Sequence, residues 1–124
     1  MKKSHLFLVP LLFMIGSILA ACSGSASTSL TGTWKLIAYG SPANPTPAVA
    51  NVETSLTFES DGTLGGSVGC NSFGGDYKVD GDKIIFGMIA TTEMACDEPI
   101  MQQESAVYSV FTNPASFKVD GNAL

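Results

Sequence analysis

Residues 69–75 read Gly-Cys-Asn-Ser-Phe-Gly-Gly, and the predicted fold depends on this stretch. Glycines on both sides of Cys70 and Asn71 allow backbone conformations that most other residues avoid. Cys70 needs a partner, and Cys96 is the next cysteine along the chain. We expect residues 69–75 to form a tight connection between two strands, joined to a later loop through these two cysteines.

The N-terminus has the pattern of a targeting segment. Lys2 and Lys3 precede an apolar core at residues 6–18, which is too short to span a membrane and has the length of a signal-peptide core. Residues 19–22, Leu-Ala-Ala-Cys, resemble the lipobox of bacterial lipoproteins, and this resemblance implies acylation of Cys22. The alternative is an ordinary secretory cleavage site followed by a chance cysteine.

This pattern divides the chain into three parts. We predict a lipoprotein signal peptide over residues 1–21, a flexible tether over residues 22–29 and one small domain over residues 30–124. The tether is predicted because its side chains are too small to offset the entropy of ordering them. The predicted partner is the lipid bilayer, since each buried acyl CH₂ contributes about 0.8 kcal/mol. The domain would be exported and anchored on the extracytoplasmic side of the outer membrane or plasma membrane.

The predicted mature chain is acidic. The formal net charge of the whole sequence is −5, and removal of Lys2 and Lys3 with the signal peptide would lower it to −7. The sequence contains no arginine. Because a nucleic-acid-binding protein needs a basic face, we expect no nucleic-acid partner. Binding to anionic lipid headgroups is disfavoured for the same reason.

Short strands account for most of the predicted domain. Residues 30–39 are predicted to form the first strand, with Trp34 in the core. Asp-Gly pairs suit the positive φ angles of hairpin turns and recur at Asp61, Asp80 and Asp120. They predict three hairpins in an antiparallel arrangement, with strands at residues 56–59, 63–69, 75–79, 83–88, 89–93 and 116–119.

Two regions are predicted to lack regular strand partners. Residues 41–54 contain Pro42, Pro45 and Pro47, and proline cannot donate to a sheet, so we predict a long loop with one short strand around residues 49–52. This loop is either a binding rim or a plain surface loop. The third hairpin has too few residues after its turn for a strand. Either its last strand is missing from this sequence, which is the prediction we favour, or the strand at residues 116–119 has an open edge.

One helix is predicted, from about residue 97 to residue 111. Asp97 offers a capping side chain, and Pro99 suits the first turn. Apolar side chains then recur at helical spacing, with Glu104 as a polar interruption, at Ile100, Val107, Tyr108 and Phe111. The predicted fold class is therefore mainly β (α+β): a small antiparallel, strongly curved sheet or barrel with one helix covering an opening.

From residue 30 onward the chain resembles the META domain family, whose members include a heat-inducible bacterial lipoprotein. The matching motifs include Gly-Cys-Asn-x-Phe-x-Gly-x-Tyr at residues 69–77 and Thr-x-Met-Ala-Cys at residues 92–96. The resemblance implies a small β-barrel-like fold with one helix, a further strand after the position of Leu124, and no established enzyme activity. It also implies structural roles for the motif residues Trp34, Gly69, Asn71, Phe73, Gly75, Tyr77, Met94 and Glu104.

The cysteines and acidic residues leave several chemical roles open. Cys70 and Cys96 are predicted to form a disulfide, which an exported protein permits. Free buried thiols, a metal site and a nucleophilic cysteine are the alternatives, and the last two are disfavoured because the only histidine, His5, would leave with the signal peptide. Glu104 either faces solvent or accepts hydrogen bonds from a loop amide. We predict no catalytic residue, no metal and no cofactor.

The predicted function is that of a non-enzymatic, membrane-anchored envelope lipoprotein with a binding or scaffolding role in envelope stress or drug tolerance. One alternative is a lipocalin-like carrier of a small apolar ligand, because residues 32–34, Gly-Thr-Trp, are similar to the opening signature of lipocalin-type barrels. That alternative needs an open cavity of roughly 300 Å³ or more. Another is a protein-binding or inhibitor module that uses the proline-rich loop. Methionine often fills gaps in a core, so we predict that Met88, Met94 and Met101 pack in the core; an adaptable binding surface is the alternative.

Overall fold

The computed structural model describes residues 29–124. The predicted signal peptide, Cys22 and the tether up to residue 28 lie outside these residues. The elements, in chain order, are β1 (Gly32–Trp34), β2 (Ala38–Ser41), β3 (Asn44–Pro47), β4 (Ser55–Phe58), β5 (Thr63–Ser67), β6 (Ser72–Asp80), β7 (Lys83–Thr91), α1 (Glu98–Val110) and β8 (Ala115–Ser116).

Six of the strands form one antiparallel sheet in the order β1-β4-β5-β6-β7-β8, and this sheet curls into half a barrel. The remaining two strands, β2 and β3, pair with each other in a separate ribbon. The predicted fold class, a curved antiparallel sheet with a single helix, is confirmed.

Two of the three predicted hairpins form as expected. Asp61-Gly62 connects β4 to β5, and Asp80-Gly81 connects β6 to β7. Gly62 has a φ of 88° and Gly81 a φ of 61°, a region that side chains with a Cβ rarely enter. The turn chemistry therefore located both connections correctly.

The third Asp-Gly pair makes a turn without a regular hairpin. Asp120 and Ala123 form an isolated bridge, with the Asp120 N–H donating to the Ala123 carbonyl at 2.9 Å. The strand predicted at residues 116–119 is reduced to the two residues of β8. The last hydrogen bond at this edge is donated by the Phe117 N–H to the Asp82 carbonyl, at 2.9 Å. Asp82 lies in the turn before β7, so the pairing of β8 with β7 ends there.

The single first strand predicted over residues 30–39 is wrong. The chain leaves the sheet after β1, since the Leu36 N–H donates to Thr54 Oγ1 at 3.0 Å and the Ile37 carbonyl accepts the Ala48 N–H at 2.9 Å. These bonds turn β2 away from the sheet, and it pairs with β3 instead.

The long loop predicted over residues 41–54 is wrong in part. It contains β3, whose Pro45 and Pro47 lie opposite Gly40 and Ala38 of β2. Proline is tolerated there because a ribbon of two strands leaves one edge of each strand unpaired. The short strand expected at residues 49–52 is absent from this part of the structure.

β7 runs unbroken where the sequence predicts two strands, at residues 83–88 and 89–93. Its partner β6 starts at Ser72, earlier than predicted, and its register with β7 shifts between Gly75 and Tyr77. Such a bulge bends a strand pair without ending it, which explains how one long hairpin follows the curvature.

The core joins the sheet to the C-terminal end of α1, where Phe111 contacts Phe73 and Phe86. Its buried cluster contains Leu30, Phe58, Leu64, Val68, Phe73, Ile84 and Phe111. Trp34 packs against this cluster but remains partly exposed. Phe73 and Phe111 pack with ring centroids 5.1 Å apart, so the helix is fixed by aromatic contacts.

The helix occupies the predicted region, but its cap differs from the prediction. Asp97 is the N-cap residue, yet its side chain makes no capping hydrogen bond. Its backbone carbonyl instead accepts the N–H groups of Ile100 and Met101 at 3.0 and 3.1 Å. Pro99 lies in the first turn as expected. Within residues 29–124, no helix is long and apolar enough to cross a membrane.

The prediction that the methionines pack in the core is wrong for two of them. Met88 is 88% exposed and Met94 is 57% exposed. Met88 lies on β7 between Gly87 and Ile89, and side chains alternate between the two faces of a strand. Ile89 packs against the core, so Met88 points outward.

Replacement of Gly75 by alanine is expected to lower the free energy of unfolding by about 2 kcal/mol, because overpacking moves the backbone. A Cβ at Gly75 would overlap the Met88 carbonyl oxygen of β7. The neighbouring Gly74 is a matched control, since a Cβ there would lie 3.7 Å from its nearest neighbour, the Leu64 carbonyl oxygen. Urea unfolding of both variants checks this, and equal stability of the two would contradict the close approach of β7.

Candidate functional site

Asn71 lies at the centre of a buried polar cluster. It is 3% exposed, and its side-chain oxygen accepts the Met94 N–H at 2.6 Å and the Thr92 hydroxyl at 3.0 Å. Its side-chain nitrogen donates to Glu104 Oε1 at 2.6 Å and to the Met94 carbonyl at 3.1 Å. The asparagine side chain therefore holds the exposed segment 92–97 against the turn that follows β5.

Glu104 joins the helix to this cluster. It is only 4% exposed, and its Oε2 accepts the backbone N–H groups of Cys70 at 2.8 Å and Asn71 at 2.6 Å. Three N–H donors thus surround a buried carboxylate, as burial of a charge requires. Of the two roles predicted for Glu104, hydrogen bonding to a loop amide is correct and exposure to solvent is wrong.

Gln103 makes a similar contact that sequence reasoning missed. It is 0% exposed; its Nε2 donates to the Val68 carbonyl at 2.6 Å, and its Oε1 accepts the Val49 N–H at 2.7 Å. The position of Gln103 in the predicted helix could have indicated this contact. Gln103 and Glu104 follow Ile100 by three and four residues, which places both on the apolar stripe of the helix.

A disulfide completes the cluster. Cys70 and Cys96 are bonded, with their Cα atoms 5.9 Å apart. The predicted disulfide is confirmed, and free thiols, a metal site or a nucleophile at these cysteines are excluded while the bond is intact. Within residues 29–124, no three His, Cys, Asp or Glu side chains are grouped so as to hold a metal ion.

The motif residues do not form one site. Gly69, Asn71, Met94 and Glu104 come together; a Cβ on Gly69 would lie 3.1 Å from both the Glu104 Cβ and the Ile100 carbonyl oxygen. The others have separate packing roles. Phe73 stacks edge-on against Tyr108, Gly75 lies against β7, Tyr77 donates its hydroxyl to the Glu59 carbonyl at 2.7 Å, and Trp34 donates its Nε1–H to the Leu30 carbonyl at 2.8 Å.

The stability of the domain at alkaline pH should depend on Tyr108, whose hydroxyl is affected by the buried Glu104 carboxylate. Burial, and then the Glu104 charge, raise the pKa of Tyr108 from 10.0 to about 12. The folded state therefore holds this proton more tightly than the unfolded state, and the associated stability, present below pH 10, is lost as the pH rises towards 12. We expect the free energy of unfolding to fall less steeply over this range in Tyr108→Phe. Identical slopes in both proteins would contradict this.

A groove lined by residues of β1, α1 and the segments beside them is the second candidate site. Its volume is about 560 Å³, and its walls come from residues 33–38, Leu56, Val68, Val107 and residues 122–124. Two other depressions on the described domain are smaller, at about 250 Å³ beside Phe111 and about 350 Å³ beside Tyr77.

The lining of the groove is mainly apolar. Val68 is 1% exposed and belongs to the core, whereas Ile37 is 79% exposed and Leu124 is 47% exposed. Lys35 is the only charged residue in the lining, and Thr33 and Asn122 are the only other polar ones. This composition suits binding of an apolar group. Sequence reasoning placed Trp34 in the core and identified none of these residues as walls of a groove.

Comparison with known proteins is consistent with this fold. No curated protein and no solved structure matches the chain. A family model described as META domain matches residues 28–124, which is more than half of the sequence. The chain therefore belongs to the META domain family.

Proposed function

We propose that this chain is a non-enzymatic binding protein of the cell envelope, held at a membrane through acylated Cys22, with the groove as its ligand site. The mainly apolar groove beside Trp34 is the observation that carries the proposal. On the basis of its membership of the META domain family, we further propose that the protein acts in envelope stress or drug tolerance.

The size and depth of the groove support binding of a small apolar ligand. Small-molecule sites usually have volumes of about 300–1,000 Å³ and mostly apolar walls, and about 560 Å³ falls within that range. A ligand that covers Ile37 would also remove exposed apolar surface, which contributes about 25 cal/mol per Å².

The buried acidic group supports a binding role over a catalytic one. Both oxygens of the Glu104 carboxylate are engaged by N–H donors. Glu104 does not line the groove. In the groove itself, Lys35 is the only residue with an ionisable side chain. The groove therefore offers apolar side chains that a ligand can contact, and it lacks the pair of ionisable side chains that general acid–base catalysis uses.

Quenching of Trp34 tests the groove. Trp34 is the only tryptophan of the chain, and it lines the groove. We would place the full chain in nanodiscs of zwitterionic lipid and titrate it with the uncharged probe ω-bromoundecanol, whose bromine quenches tryptophan on contact. Quenching should saturate, and Ile37→Glu should weaken it about five-fold, as expected for the loss of about 1 kcal/mol of apolar contact.

The matched control is Val79→Glu, which also places a carboxylate at an exposed apolar position but outside the groove. It should leave the titration unchanged. Quenching that does not saturate, or that weakens equally in both variants, would overturn the groove as a binding site.

The membrane anchor has a separate test. In cells supplied with labelled fatty acid, the native chain should incorporate label and sediment with membranes. Cys22→Ala should lose the label and remain unprocessed. Equal incorporation of label by the two chains would overturn acylation at Cys22 without affecting the groove.

A further inference from the structure

Two methionine side chains lie on the surface of the domain. Met88 is 88% exposed and Met94 is 57% exposed, whereas Met101, the third methionine of residues 29–124, is partly buried in α1. Neither Met88 nor Met94 belongs to the hydrophobic core or to the side chains packed against it. Their thioether sulfurs are therefore accessible to oxidants dissolved in the solvent.

The backbone at both positions is held without any contribution from the methionine side chain. The N–H and the carbonyl of Met94 are bonded to the Asn71 side chain at 2.6 and 3.1 Å. Met88 lies within β7, which pairs with β6 on both sides of the bulge. A chemical change at either sulfur would thus leave in place the hydrogen bonds that fix the chain.

We propose that Met88 and Met94 are sites of reversible oxidation by peroxide, at which the folded domain takes up two oxygen atoms without unfolding. This inference goes beyond the groove and does not depend on it. Oxidation to the sulfoxide makes a methionine polar, which disrupts a protein when that side chain is packed in a core. At these two exposed positions the polar product stays in water, so no polar group is buried without a partner.

Each oxidation consumes one molecule of peroxide. The sulfur donates an electron pair to one peroxide oxygen and the O–O bond breaks, so the thioether is oxidised and the peroxide is reduced. The departing hydroxide takes the proton of the transferred hydroxyl and leaves as water, while the other oxygen stays on the sulfur. Methionine sulfoxide reductases reverse this change.

The cysteines of the domain do not compete for the oxidant. Cys70 and Cys96 are joined in a disulfide, and oxidation of a cysteine to its sulfenic acid starts from a free thiolate. Among the sulfur atoms of residues 29–124, those of Met88 and Met94 are therefore the first targets.

The test treats the full chain with hydrogen peroxide and follows each methionine by mass spectrometry of its peptides, which separates these residues from Met1 and Met14. Met88 and Met94 should be oxidised about three-fold faster than Met101, because reactivity follows exposure. In urea, where the fold is lost, the three rates should become equal. The doubly oxidised chain should keep its midpoint of thermal unfolding within about 4 °C, and methionine sulfoxide reductases should remove both oxygens from the folded chain.

Two variants complete the test. The double variant Met88→Leu/Met94→Leu keeps a similar side-chain volume and should lose the fast uptake of oxygen, whereas Met101→Leu, the matched control, should retain it. Equal rates at all three methionines in the folded chain, or a difference that persists in urea, would overturn the proposal. So would a larger fall in the midpoint after double oxidation, or sulfoxides that the reductases leave in place.

Discussion

Replacement of Glu104 by alanine is expected to lower the free energy of unfolding by about 4 kcal/mol. The change removes the acceptor of three N–H donors, those of the Cys70 backbone, the Asn71 backbone and the Asn71 side chain. Each buried donor that loses its partner costs about 1–3 kcal/mol. Because a small domain is stable by only about 5–15 kcal/mol, the variant should be close to unfolding at room temperature.

Two further variants separate hydrogen bonding from simple loss of volume. Glu104→Gln keeps the shape but replaces one acceptor oxygen with an NH₂ group, so we expect about half of the loss. Glu93→Ala removes an exposed carboxylate and should change stability by no more than about 0.5 kcal/mol. Urea unfolding measures all three. A Glu104→Ala protein within about 1 kcal/mol of the native one would contradict the buried network.

Loss of the Cys70–Cys96 disulfide is expected to lower the free energy of unfolding by about 3–4 kcal/mol. The bond joins residues 26 positions apart, and closure of a loop of that size restricts the unfolded chain by about this amount in the chain-entropy model. For a domain of this size the midpoint of thermal unfolding should fall by about 15 °C.

The matched comparison for this prediction uses a reductant. The native chain should lose stability when dithiothreitol is added, whereas Cys96→Ser should start at the lower stability and show no further loss. Asn71 also holds the segment at Met94, so some of this segment should stay in place after reduction. Equal stability of the oxidised and reduced native chain would contradict the prediction.

The parts of the fold that could be predicted depend on local chemistry. Tight hairpin turns require positive φ angles, which an Asp-Gly pair readily adopts, so these pairs located the turns at Gly62 and Gly81. The spacing of apolar residues located the helix, and Glu104 was noticed because it interrupts that pattern. The disulfide was predicted because two cysteines remain after Cys22 in a chain that we expected to be exported.

The parts that could not be predicted depend on contacts between distant segments. The break between β1 and β2 arises from the bond of Leu36 to Thr54, which no local pattern signals. β3 forms in spite of its prolines because the ribbon has only two strands. The groove is built from residues 33–38, the middle of the chain, the helix and residues 122–124, so no single stretch contains its pattern.

Native mass spectrometry of the full chain, released from the membranes of the cells that produce it, tests the groove most directly. The account predicts a population that carries the added mass of a small apolar ligand and that is reduced in Ile37→Glu but retained in Val79→Glu. A native chain with no bound mass, or a bound mass retained equally in all three proteins, would contradict the groove as the ligand site.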